Sequence, residues 1–333
     1  MPKLTAADEY FYHQIPEPLP NVVNRHDHWR ESLFFVFHPK DQPGDAVILT
    51  MAQYPKREIV DSFQMGTIGG DMFLEIHQRP FDGDPHTLSV GPVSIDIVEP
   101  YKKVVLKADP EIAPVGLDIT FDARSREQGL RRGNMKRGDE IIWDQCHMVQ
   151  SGIYNGTYSY KGETYAVDDW WGQRDHSWGI RDHSRCPFWM WLAIQLPDAM
   201  ISVWNWEYSN GARIYTDGCY APTDMSEPVP VTSFEHDLQW IDKFDHTTDY
   251  QRDGENVTGI SGGVKIQFEN GRQMEIEATG RWACRYGALG GGLLQMELQT
   301  SDGRKGTAIY ELTGAHHYKY FPIARAENLP VSS

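Results

Sequence analysis

Residues 168–191 read DDWWGQRDHSWGIRDHSRCPFWMW, and no other part of this chain is so dense in ionisable and aromatic groups. Arg174-Asp175-His176-Ser177 is echoed seven residues later by Arg181-Asp182-His183-Ser184. Trp170, Trp171, Trp178, Trp189 and Trp191 are interleaved with them. Charges set among indoles either pair structurally or face a ligand. In the second case desolvation shifts their pKa values and suits them to proton transfer. Asp175 and His176 are the acid–base candidates; Trp170, Trp171, Trp178, Trp191 and Arg174 are candidates for the pocket wall, joined by Trp29, Glu31 and His26 from the N-terminal segment. A plainer reading stands beside this one. Asp175 can bond strand-end amides or pair with Arg174 or Arg181, and Trp178-Gly179 can plug a seam. Asp182 and His183 read as structural, in a surface loop ahead of Pro187. Neighbours on one regular strand point to opposite faces, so Asp175 and His176 reach one pocket together only across a bulge or turn. An offset of seven switches faces as well.

The elements that must position these groups are strands. Short alternating runs recur, among them Ser32–Phe37, Ala46–Met51, Val93–Val98, Lys103–Ala108, Leu117–Phe121, Gly156–Tyr160, Met190–Leu196, Met200–Glu207, Val264–Phe268 and Gln273–Thr279. Period-2 patterning with β-branched and aromatic residues is the mark of half-buried strands. Asn210-Gly211, Asp253-Gly254, Asn270-Gly271 and Asp302-Gly303 fall between runs, and such pairs favour tight hairpin turns that need positive φ. Gly263–Phe268 with Gln273–Thr279, and Leu293–Thr300 with Lys305–Glu311, read as hairpins. Ile15–Pro20 reads as an extended lead-in arm. The pattern predicts an all-β chain of two antiparallel barrels or sandwiches in tandem, residues 1–180 and 181–333.

Composition narrows the partners. A net charge of −16 repels phosphate backbones and anionic membranes. No run approaches the roughly 20 apolar residues of a membrane helix. The N-terminus shows no basic segment followed by an apolar one, which reads as a non-secreted, cytoplasmic chain. Cys146, Cys186, Cys219 and Cys284 form no CxxC and read as free, mostly buried thiols. The 13 histidines, including His246 and the His316-His317 pair, show no HExxH spacing, so no metal is expected. Absent GxSxG, GxGxxG and P-loop patterns leave serine-hydrolase, nicotinamide and nucleotide chemistry without their parts, and no cofactor is expected. A homodimer that buries an exposed strand edge is compatible with this architecture.

Asp175-His176-Ser177-Trp178-Gly179, followed by Trp189-Met190-Trp191 and Ala193-Ile194-Gln195-Leu196-Pro197-Asp198, resembles the Asp-x-x-Trp-Gly … Trp-x-Trp/Phe … Gln-Leu signature of the carotenoid 1,2-hydratase / AttH-like superfamily. Gly172-Gln173-Arg174-Asp175-His176-Ser177-Trp178-Gly179 and Trp29-Arg30-Glu31-Ser32 are similar to a bacterial subgroup of that superfamily. The local match spans about 30 residues. It implies tandem lipocalin-like barrels and addition or removal of water at a carbon–carbon double bond, without a cofactor. That chemistry needs a proton donor, an electron-rich wall for the cation and a base for water. The expected substrate is an apolar terpenoid, polyketide or phenolic molecule held between the two halves. Two other functions use the same pocket: an isomerase or pericyclase acting by shape, and a non-catalytic carrier of a lipophilic ligand.

Overall fold

Alternating side chains give each strand two faces, and in this chain both faces of several strands are apolar. FWMWLAIQL (Phe188–Leu196) and AMISVWNWE (Ala199–Glu207) are buried along their whole length. A strand buried on both faces must sit between two cores. The computed structural model shows this arrangement, describing residues 26–41, 44–183, 185, 188–208, 211–241, 258–285 and 291–313, with residues 4, 13, 16–19 and 21 besides. Cys186, His246, the His316-His317 pair and the Asp253-Gly254 turn lie outside the described residues.

The first sheet comprises β1 (Trp29–His38), β2 (Ala46–Tyr54), β3 (Ile59–Ile68), β4 (Asp71–Pro80), β5 (Ser89–Val90), β6 (Val93–Glu99), β7 (Lys103–Ala108), β8 (Gly116–Ala123), β9 (Gln128–Arg137), β10 (Glu140–Tyr160) and β11 (Glu163–Arg181). Its order is β4-β3-β2-β1-β11-β10-β8-β7-β6-β5, with β9 also on β10. The ends meet: Arg79 on β4 donates to the Ser89 and Thr87 carbonyls, and Ser62 on β3 to the Val90 carbonyl.

The second sheet comprises β12 (Phe188–Leu196), β13 (Ala199–Glu207), β14 (Arg213–Pro222), β15 (Val229–His236), β16 (Gln239–Ile241), β17 (Gly259–Phe268), β18 (Gln273–Arg285), β19 (Gly292–Thr300) and β20 (Lys305–Thr313). The order runs β15-β14-β13-β12-β20-β19-β18-β17-β16, and β15 pairs again with β17, which closes the ring. Gly271 and Gly303 turn two of the hairpins with φ of 82° and 89°, the left-handed geometry such turns require. The protein is therefore all-β, built as two lipocalin-like antiparallel barrels in tandem. The strands β3, β4, β9, β14, β15 and most of β10 and β11 fall outside the runs named above; in β4 and β9 charged and mixed faces hide a simple alternation.

Three apolar cores follow from the alternation. Leu33, Phe35 and Phe37 of β1 point into the first barrel, and Met190, Leu192 and Ile194 of β12 into the second. The intervening residues form a third core between the barrels: Val36 from β1, Trp143 from β10, Trp189 and Trp191 from β12, Trp204 and Trp206 from β13. Polar contacts cross this interface too. Ser151 donates to Gln195 at 2.6 Å, Gln173 to Ser202 at 3.0 Å and Thr67 to the Ala283 carbonyl at 2.7 Å.

Candidate functional site

On β11 the odd residues 173, 175 and 181 face the second barrel, and the even residues 174 and 176 face the first barrel's lumen. No bulge intervenes on this stretch, since β11 pairs with β1 in unbroken register from Trp171 to Ile180. Asp175 and His176 consequently line two different cavities, as the alternation of a regular strand requires.

The inter-barrel cavity holds about 370 Å³ and is walled by both barrels. Asp175 lies in it with a carboxylate oxygen 3.3 Å from Nε2 of His147. Register explains the pair. On β10, Val149 lies opposite Asp175 and His147 opposite Ser177, so His147 is the same-face diagonal neighbour. The His147 ring packs edge-on against Trp204 at 4.2 Å. Both ring nitrogens are buried and make no hydrogen bond among the described residues. A buried imidazole in that state, one nitrogen beside a carboxylate, is unusual enough to need a functional account.

The indoles of Trp189, Trp191 and Trp204 form the opposite wall. Arg181 closes the floor, stacked over Trp143 at 4.9 Å and Trp204 at 5.6 Å, and donating to Gln145 and Ser177. Tyr54 and Arg30 occupy another side. Tyr54 is hydrogen-bonded to Asp61, whose carboxyl burial pushes up to about 6 against the pull of Arg30. His183 also faces the cavity; desolvation and the nearby Arg181 and Arg30 hold it well below its ordinary value, so it is a neutral ring there. The side chains thus assembled can pass protons, polarise a carbonyl and stabilise a transient cation.

The lumen of the first barrel is a second cavity, of about 310 Å³. It receives Glu31, Arg174 and His176. His176 Nε2 and Glu31 Oε1 are 2.9 Å apart, and Gln53 donates to Oε2 at 2.8 Å. Burial pushes the Glu31 carboxyl up, but His176 and Gln53 outweigh it and hold the group below its ordinary value.

The other residues anticipated for a pocket wall are dispersed. Trp191 reaches the inter-barrel cavity. Trp170 packs in the first barrel's core beside Phe37 and Tyr158. Trp171 lies under Arg124 in a shallower hollow at another end of the seam. Trp178 is exposed and touches His176 edge-on at 5.2 Å. Trp29 is half-buried opposite Ile180, and His26 packs on His28. Asp182 and His183 lie just past the end of β11, where Asp182 has the structural role expected of it and His183 is half-buried against the inter-barrel cavity. Asp182 is buried, with Arg185 at 2.7 Å and His28 at 3.7 Å. His147, Trp204, Tyr54 and Asp61 were missed. A strand reading of 140–150 would have put Trp143, Gln145, His147 and Val149 on one face and exposed the signal.

Of the cysteines, Cys219 and Cys284 are buried, Cys146 is half-buried, and all three are free thiols. Among the described residues no three His, Cys, Asp or Glu side chains converge as a metal group would, and no helix is long and apolar enough to cross a membrane.

Fold and cavities define a two-barrel, lipocalin-like protein with a buried His147 beside a half-buried Asp175 at the inter-barrel seam. The sequence matches a family of unknown function, DUF8625, over residues 4–292, and the chain belongs to that family. No curated protein sequence matches it. Among solved structures it is similar to an AttH-like protein from Nitrosomonas europaea, with a TM-score of 0.59 and 12% identity over 87% of this chain and 94% of that one. It is also similar to kievitone hydratase from Nectria haematococca, at 0.57 and 12% over 94% and 96%. CghA in complex with Sch210972 follows at 0.52 and 8% over 86% and 88%. Identities this low establish a shared fold alone.

Proposed function

We propose that the protein is a cofactor-independent hydratase or dehydratase that acts on an apolar, alkene-bearing molecule in the inter-barrel cavity. The observation that carries the reading is the buried Asp175–His147 contact, opening onto a wall of three tryptophans. The likeness to kievitone hydratase supports the reaction class, and the resemblance to carotenoid 1,2-hydratases points the same way.

In the hydration direction the Asp175–His147 pair holds one proton and gives it to an alkene carbon, forming a C–H bond as the π bond breaks. Trp189, Trp191 and Trp204 present electron-rich faces to the resulting cation. Water then forms the C–O bond, and the proton it sheds returns to the pair, which ends as it began. Dehydration is the same path reversed. If the alkene is conjugated to a carbonyl, Tyr54 and the neutral His183 are placed to polarise its oxygen. Removing a general acid–base group typically costs about 10²–10⁴-fold in rate.

The test is turnover of prenylated phenols and isoprenoid alkenes in heavy-oxygen water, read by mass spectrometry. The expected product carries one labelled oxygen, and Asp175→Asn and His147→Gln each slow its formation by about 10²–10⁴-fold while the substrate still binds. An isomerised product without label would replace the proposal by a cyclase or pericyclase. Binding with no chemical change would make the protein a carrier.

A further inference from the structure

Glu31, Arg174 and His176 leave the inter-barrel chemistry unaided, because they face the other side of the β1–β11 wall. The two cavities have only Ser32 and Leu33 in common. What the lumen could hold follows from its charges. Glu31 is matched by His176. Arg79 is matched by Asp82 and is further tied to the Thr87, Ser89 and Pro80 carbonyls. Asp84 accepts from the His86 amide and the Thr87 hydroxyl.

Arg174 differs. It is 4% exposed, and its Nε and Nη2 both donate to the neutral Gln150 amide oxygen, at 2.9 and 2.7 Å. Its guanidinium rests over the rings of Phe121 and Tyr101 at 5.2 and 5.9 Å. Among the described residues no carboxylate lies within ion-pair distance of it. A cation taken out of water without an anion is costly, and an arriving anion recovers that cost. The planar guanidinium fork suits a carboxylate.

Beside the polar Ser32, Gln53 and Thr87, the lining is largely apolar: Leu33, Met51, Val60, Leu88 and Met148, with the exposed Ile97 and Tyr101 completing it. We propose that the first barrel's lumen is a separate binding site for a single-chain amphiphile with a carboxylate head, the chain lying on the aliphatic wall and the head meeting Arg174. The site is independent of turnover at the seam, and its occupant need not be a substrate. Burial depresses the Arg174 pKa against the opposing pull of Tyr154, Tyr101 and Glu127.

Isothermal titration with dodecanoate, dodecanol and dodecylamine holds the chain constant and changes only the head. Dodecanoate is expected to bind at least about tenfold tighter than dodecanol, and dodecylamine weakest, from the charge-assisted bond alone. Arg174→Gln is expected to bring dodecanoate to within about twofold of dodecanol and leave dodecanol unchanged, whereas Arg174→Lys keeps a preference for the acid. Met148→Trp, which fills the lumen, is expected to abolish binding of both. Equal affinity for acid and alcohol overturns the proposal, as does a preference that survives Arg174→Gln. If Arg174→Gln does not fold, Met148→Trp decides: undiminished dodecanoate binding places the ligand elsewhere and ends the idea.

Discussion

His147 and Asp175 act as one unit in the proposed reaction, since the two side chains lie 3.3 Å apart at the seam and share the transferred proton. Groups that work together are non-additive when removed. The Asp175→Asn/His147→Gln double variant should therefore lose no more of kcat/KM than the worse single variant, within about threefold; steady-state kinetics on the four proteins measures this. His38 supplies a separate prediction, about stability. It is buried at the end of β1 with Nδ1 3.0 Å from the Pro39 carbonyl, and burial lowers its pKa from 6.5 to about 4. The unfolded chain then binds a proton that the folded one refuses, so stability falls as pH drops from 6.5 to 4, by up to about 3 kcal/mol. Asp61 acts in the opposite sense. Its raised pKa means the folded state takes up a proton first, so this group favours folding as pH falls from about 6 toward 3.8. Urea denaturation at pH 7 and pH 4.5 should show a smaller acid loss in His38→Asn and a larger one in Asp61→Asn than in the wild type.

At the scale of the element, β11 does the positioning. Its pairing with β1, unbroken from Trp171 to Ile180, sends Arg174 and His176 into the first barrel's lumen and Asp175 into the inter-barrel cavity. Gly179, two residues before the strand ends, has a φ of 134°, and a Cβ there would lie 2.1 Å from the Asp144 carbonyl oxygen on β10. Only glycine accepts both conditions. Gly179→Val should push the two strands apart, lower stability by about 2 kcal/mol or more and disturb the Asp175–His147 spacing. Thermal unfolding and turnover should fall together; an unchanged melting temperature would contradict the close approach.

The whole molecule is governed by the shared third core. Trp143 of the first barrel meets Trp189, Trp204 and Trp206 of the second at 4.9–6.0 Å across the seam. An interface this apolar couples the barrels more tightly than a linker would. Calorimetry should show one cooperative transition, not two. Gly133 on β9 approaches Trp206 so closely that a Cβ would lie 2.5 Å from the indole edge. Gly133→Leu should cost about 1–3 kcal/mol by overpacking and weaken that cooperativity, which a split transition would report.

Local physics wrote much of this into the chain. Alternation with period 2 and Asn-Gly or Asp-Gly turns act over a few residues, so the β architecture and the two last hairpins could be read directly; that Asp175 and His176 part company, and do not share one site, was decided by the regular strand that carries both. The density of chemistry at 168–191 likewise pointed to β11. What the sequence could not supply is a partner distant in the chain. His147 comes within reach of Asp175 only through the β10–β11 register, and Tyr54 and Trp204 only through barrel closure and docking. Whether an indole such as Trp170 lines a cavity or fills a core depends on which barrel stands behind it. Those choices are made by long-range packing, where each side chain's surroundings come from strands that local sequence does not name.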